Sequence, residues 1–144
     1  MKSILPAIKT TLQTDITYID DANIFITPDL DYIPNGVSFP CIAIKDGAIN
    51  SNELVGSCIE TRPVVQVVPY VEMSHDENSI VGAVGTKGLL EIEEDINTAL
   101  NSNSLGVSGV LHGFCEGSAP SELVGDEREP LQRKIITVTY EKED

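Results

Sequence analysis

The stretch GLLEIEEDINTALN, residues 88–101, decides the fold of this chain. Its apolar side chains recur at intervals of three and four residues, which places them on one face of an α-helix. They are Leu89, Ile92, Ile96, Ala99 and Leu100. Acidic residues occupy the first two turns, where the positive end of the helix dipole favours them. We expect Thr86 to cap the start of this helix, and strands near residues 64–73 and 134–141 to cover its apolar face.

The composition is that of one globular domain spanning residues 1–144, with 41% hydrophobic residues. Nine Lys and Arg against 23 Asp and Glu give a net charge of −14. This charge argues against binding to nucleic acid and to anionic membranes, because both need clustered cations. No apolar run approaches the roughly 20 residues of a membrane-spanning helix. We therefore expect a soluble protein.

The three cysteines are Cys41, Cys58 and Cys115. Their odd number and wide spacing, without a signal peptide, predict reduced thiols in a protein made in a cytoplasm.

The N-terminal half predicts one helix and several strands. Residues 3–14 predict a short amphipathic helix, and residues 28–40, with three prolines, a connection. CIAIK, residues 41–45, predicts a short central strand that ends at an Asp46–Gly47 turn. Residues 63–73 predict the longest strand, which is apolar on both faces, so another subunit is a candidate cover for one of them. Pro69 places that strand at an edge or a bulge.

The C-terminal half predicts loops on either side of the long helix, followed by strands. The predicted loops are residues 74–87 and 116–130, and the predicted strands lie near residues 110–115 and over residues 132–141. The fold class is therefore α+β, with two main helices packed on one face of a mostly antiparallel sheet.

Three short sequence patterns resemble ligand-binding motifs, but the number or spacing of their residues does not match those motifs. GAVGTKG, residues 82–88, lacks the spacing of a phosphate loop or a dinucleotide fingerprint, so it predicts a turn. His112 and Cys115 supply only half of a zinc site. Asp29 and Asp31 resemble the start of a calcium loop, but the register is wrong, and an Asx-turn is the better interpretation.

Catalysis is not supported by the residue types and their spacing. Cys115 lies near His112, and His75 precedes Asp76, but no nucleophile, base and oxyanion donor can be assigned together. We expect no enzymatic activity, no cofactor and no metal.

The order of elements resembles the tail terminator (tail completion) proteins of tailed bacteriophages, including the lambda-type and related neck proteins. Phe39–Pro40 before a strand and the helix GLLEIEEDI carry the resemblance, which covers nearly the whole chain. The resemblance implies a structural virion protein, made in the host cytoplasm, that closes into a homohexameric ring. Such a ring caps the tail tube protein, stops tube polymerisation and presents a surface to the head–tail connector or stopper protein.

The family has no catalytic residues, and DNA passes through the lumen of the ring without specific binding. The negative charge suits such a lumen. Two alternatives remain open. One is another neck or assembly component, such as a head–tail joining protein or a tail assembly chaperone. The other is a small bacterial enzyme or binding module.

A ring needs two different patches that meet head to tail. We expect those patches on the two loops whose apolar residues lack an obvious partner within the chain. The predicted interface residues are His75, Asp76, Glu77, Ile80, Val81, Leu123, Val124 and Arg128.

Overall fold

The fold is α+β in a computed structural model that describes residues 1–56, 58–73, 77–125 and 130–143. The helices are α1 (Ile4–Asp15), α2 (Asn78–Val81) and α3 (Leu89–Leu100), with a 3-10 turn at Asp21–Asn23. The strands are β1 (Ile24–Ile26), β2 (Cys41–Glu53), β3 (Ile59–Glu72), β4 (Val110–Ser118), β5 (Glu122–Val124), β6 (Leu131–Arg133) and β7 (Ile136–Glu143). The predicted fold class is confirmed at this level.

The seven described strands form one mixed sheet, and among them only β1 and β2 pair in parallel. Strand β3 is central. One side of β3 pairs with β2, and the other pairs with β7 near its start and with β6 near its end. Strand β4 then pairs with β7, and β5 pairs with β6. Strand β3 is not an edge strand, and its register with β2 is continuous at Pro69, so the predicted edge position or bulge is not found. Pro69 instead lies where the neighbour of β3 changes from β7 to β6.

The main core lies between α1, α3 and one face of the sheet. Helix α1 contributes Ile4, Ile8 and Leu12, and α3 contributes the five residues of its predicted stripe, all of them buried. They pack with Val65, Val67 and Val71 of β3 and with Ile136, Val138 and Tyr140 of β7. Both predicted covering strands are therefore confirmed, and we call this cluster the helix-side core.

The opposite face of β3 is covered by residues 28–40 of the same chain. Val68 and Tyr70 pack there with Cys41 and Ala43, against side chains of this connection that include Leu30, Ile33, Val37 and Phe39. Both faces of β3 are covered in this part, as predicted, but a second subunit is not needed. The two-sided apolar pattern of this strand therefore carries no argument for an oligomer.

The predicted turn at Asp46–Gly47 is wrong, because these two residues lie within strand β2. The strand continues to Glu53, and a register shift between Asp46 and Ile49 accommodates the two residues as a β-bulge. A Cβ atom at Gly47 would lie 2.7 Å from the carbonyl oxygen of Val64, so a glycine is needed where the backbones approach.

The start of α3 is also different from the prediction, because Gly88 and not Thr86 is the N-cap. A Cβ atom at Gly88 would lie 2.4 Å from the amide nitrogen of Gly82 and 2.5 Å from the carbonyl oxygen of Ile80. The Gly88 amide donates to Glu91 Oε1 at 3.4 Å, which provides the capping contact from inside the helix.

Candidate assembly surfaces

The first predicted loop contains helix α2, and its apolar residues divide between core and solvent. Ile80 is half-buried and packs against the helix-side core, so the prediction that it lacks an intramolecular partner is wrong. Val81 is 51% exposed, and Glu77 is exposed at the N-cap of α2. His75 and Asp76 lie outside the described residues.

The second predicted loop is in part a strand. The end of β4 and the whole of β5 fall within residues 116–130. Leu123 is 60% exposed, whereas Val124 packs against the cluster that contains Tyr70. The expectation that Val124 lacks a partner is therefore wrong, and Arg128 lies outside the described residues.

A further exposed apolar surface, which was not predicted from the sequence, lies at the tip of the β2–β3 hairpin. We call residues 46–62 the distal hairpin. It exposes four large apolar side chains, namely Ile49, Leu54, Val55 and Ile59. Val55 is 100% exposed, and Glu53 is the only charged residue between positions 47 and 59. That nearly uncharged run in an acidic chain was the available signal.

The outer edge of β2 is also free along the distal hairpin. Strand β1 pairs with β2 only as far as Ile44, and no described strand continues along that edge. Free edges of this kind are templates for pairing with another chain. The outer edge of β4 is protected in its middle, because the Ser102 amide donates to the Gly113 carbonyl at 2.8 Å and the Cys115 amide donates to Asn101 Oδ1 at 2.7 Å.

A cleft of about 800 Å³ opens at the other end of the sheet. We call it the proximal cleft. Residues 33–39 form one wall, and the end of β3 with the start of β6 forms the other. Its apolar side chains are Ile33, Pro34, Val37, Phe39, Met73, Pro130 and Leu131. Glu72 is the only charged residue among the described residues that line it.

Arg133 ties one wall of the proximal cleft to the sheet. Its Nη1 lies 2.9 Å from Asp31 Oδ1, and its Nε lies 2.6 Å from Glu122 Oε1. Burial by itself lowers the pKa of Arg133, but hydrogen bonds with Glu122, Tyr70 and Asp31 outweigh it and hold that pKa above its ordinary value. The guanidinium therefore stays charged and keeps all three groups together.

Two further contacts order the same wall. The Asp31 amide donates to Asp29 Oδ1 at 2.9 Å, which confirms the predicted Asx-turn. The Tyr70 hydroxyl donates to the Leu30 carbonyl, and burial raises the pKa of Tyr70, so the donor stays protonated. Residues 28–40 are thus held against the sheet.

His112 and Cys115 lie on opposite faces of β4. His112 stacks on Phe114 with ring centroids 6.2 Å apart, and its Nδ1 lies 3.7 Å from Glu141 Oε2. Cys115 packs against the helix-side core. In the part of the chain that the structure describes, no three His, Cys, Asp or Glu side chains converge in a way that could hold a metal ion.

The thiols differ in accessibility. Burial raises the pKa of Cys41 to about 12, and burial together with the charge of Glu93 raises the pKa of Cys115 to about 11. Both thiols therefore stay protonated at neutral pH and react slowly. Cys58 is exposed beside the turn of the distal hairpin.

Comparison with models of known protein families finds no match, and no curated protein sequence is significantly similar to this chain. None of the described helices is both long and apolar enough to cross a membrane.

Proposed function

We propose that this chain is a structural virion protein of a tailed bacteriophage, which caps the end of the tail tube as a ring. The ring ends polymerisation of the tube protein and provides the surface to which the head connector or stopper joins. Each subunit contributes binding surfaces and no catalysis. DNA passes through the lumen without specific binding.

The distal hairpin is the observation that carries this proposal. The hairpin combines a free strand edge with four exposed apolar side chains at one end of the sheet. In a monomeric protein such a surface promotes aggregation, so it favours a role as an interaction site. Such surfaces are typical of subunits whose exposed apolar side chains become buried against another subunit. The order of elements along the chain, which resembles the tail terminator family, supports the particular assembly.

Val81 and Leu123 are two exposed apolar residues of the predicted loops, and they add surfaces for the other partners of a cap. A ring between a tube and a connector needs contacts on its two faces as well as between its subunits. We assign these residues, with His75, Asp76, Glu77 and Arg128, to contacts with the tube, the connector or a neighbouring subunit.

Deletion of the gene from its parent phage tests the proposal, with electron microscopy of the particles as the measurement. We expect tails of uncontrolled length and heads without tails, both restored by the gene supplied in trans. Tails of normal length that do not join heads would indicate a head–tail joining protein, and absence of tails would indicate an assembly chaperone. Infectious particles of normal appearance, or a parent genome without tail genes, would refute a phage function.

A further inference from the structure

The distal hairpin and the proximal cleft lie at opposite ends of one strand. Strand β3 begins at Ile59, next to the hairpin turn, and ends at Glu72, in the wall of the cleft. Thirteen steps along an extended strand span about 43 Å. A hairpin that is continuous with this strand cannot reach the cleft of its own chain, although it can reach the cleft of another copy.

The hairpin has the features of an inserting element. The Leu54 amide donates to the Cys58 carbonyl at 2.7 Å, so a hydrogen bond closes the turn and limits the conformational entropy lost on insertion. Leu54 and the fully exposed Val55 project from this closed turn. Burial of these two side chains would remove from water the apolar surface that the fold leaves exposed.

The proximal cleft has the features of a receiving site. Its volume of about 800 Å³ accommodates more than one apolar side chain. Ile33, Val37 and Phe39 are half-buried and already held by the core beneath them, so the wall is preformed. Arg133 and Tyr70 fix the connection that carries them.

Charge favours this pairing over others. Two copies that each carry −14 repel, and the repulsion is smallest where the approaching surfaces carry few charges. Among the described residues, Glu53 is the only charge in positions 47–59 of the hairpin and Glu72 the only charge lining the cleft. Within the described residues, the two surfaces therefore combine exposed apolar area with low charge.

From these observations we infer that the distal hairpin of one copy inserts Leu54 and Val55 into the proximal cleft of the next copy. The contact is head to tail, because two different surfaces meet, and its repetition generates a closed ring or a helical array. The inference rests on the proposed function only for the closure into a ring, since the contact itself requires no phage partner.

The native thiol of Cys58 makes this contact testable with one substitution. The variant V37C places a thiol in the cleft wall, and mild oxidation of the concentrated protein should give a ladder of oligomers containing a disulfide between positions 37 and 58. The buried Cys41 and the half-buried Cys115 stay protonated and react slowly under these conditions. Mass spectrometry of the digested ladder identifies the linked positions.

The matched control is E94C, which places a thiol on the exposed face of α3. The inference is overturned if V37C forms no more intermolecular disulfide with Cys58 than E94C does. Removal of the native thiol, in V37C with C58S, should abolish the ladder.

A second pair of variants, made in the V37C background, tests the hairpin side of the contact. Val55 and Val84 are both fully exposed, so glutamate at either position should leave the fold intact. In the V37C background, V55E should lower the yield of the 37–58 disulfide about tenfold, because a charge replaces a side chain that becomes buried. V84E should leave the yield unchanged, and equal losses in both variants overturn the inference.

The two proposals fail in different ways. A 37–58 disulfide together with normal tails after gene deletion would preserve the contact and refute the phage function. A tail defect after deletion without the 37–58 disulfide would preserve the function and refute the contact.

Discussion

Gly113 in β4 shows how a single residue fixes the packing of the final strands. It pairs with Tyr140 of β7, whose side chain is fully buried in the helix-side core. A Cβ atom at Gly113 would lie 2.3 Å from Tyr140 Cε1, much closer than any van der Waals contact. Because the ring is enclosed by the core, it cannot move away at little cost.

We expect G113A to lower the free energy of unfolding by about 1–3 kcal/mol, the usual cost of overpacking a core. Gly117 lies in the same strand and has no atom within 4 Å of the corresponding Cβ position. G117A is therefore the matched control and should leave the stability unchanged or slightly raised. Urea denaturation of the three proteins measures both effects, and equal midpoints for the two variants would contradict the packing around Tyr140.

Gly88 shows what residue patterns alone do not reveal. Thr86 is the better N-cap by its chemistry, yet the turn that precedes α3 folds back on Gly82 and Ile80 and leaves no space for a side chain at position 88. This constraint depends on two segments meeting in space. No pattern within the helix predicts it.

Among the elements, α1, α3, β3 and β7 could be predicted because their periodicity records burial directly. Val68 and Tyr70 lie on one face of β3 and Val65, Val67 and Val71 on the other, so the predicted two-sided apolar pattern of this strand is confirmed. Strand β2 could not be followed past Lys45, since residues 46–53 are mostly polar and contain a turn pattern. Its extension comes from pairing with β3 across a bulge.

The phase of α3 leads to a sharp comparison of two substitutions. Ile96 is fully buried, whereas Glu94 is exposed on the opposite face of the helix. We expect I96D to destabilise the domain by roughly 4 kcal/mol or more, because it buries an unpaired carboxylate. E94A should change the stability by less than about 0.5 kcal/mol. Thermal denaturation of both variants measures the difference, and similar shifts in midpoint would show that the phase of α3 is wrong.

At the scale of the whole molecule, the sequence predicted that apolar residues outside the regular elements mark assembly surfaces, but it could not select among them. Ile80 and Val124 pack against their own chain, whereas Val81 and Leu123 are exposed. This difference depends on which parts of the sheet lie beneath each loop. The distal hairpin was not predicted, because its exposure depends on which strands pair with β2. No described strand pairs with the outer edge of β2 beyond Ile44.

The charge of the whole subunit gives a last prediction about assembly. Each copy carries −14, whereas Glu53 is the only charge in positions 47–59 of the distal hairpin and Glu72 the only described charge that lines the proximal cleft. Repulsion between exposed charges weakens as the Debye length falls, from about 10 Å at 0.1 M salt to about 3 Å at 1 M. Burial of apolar side chains does not weaken under the same change.

Raising sodium chloride from about 0.05 M to about 0.5 M should therefore increase the yield of the 37–58 disulfide in V37C, since screening removes more repulsion than attraction. Oxidation of E94C over the same range corrects for the effect of salt on thiol chemistry and on random collisions. A contact held by ion pairs between copies would respond in the opposite direction. A corrected yield that falls with salt would thus show that charged residues, and not Leu54 and Val55, hold neighbouring subunits together.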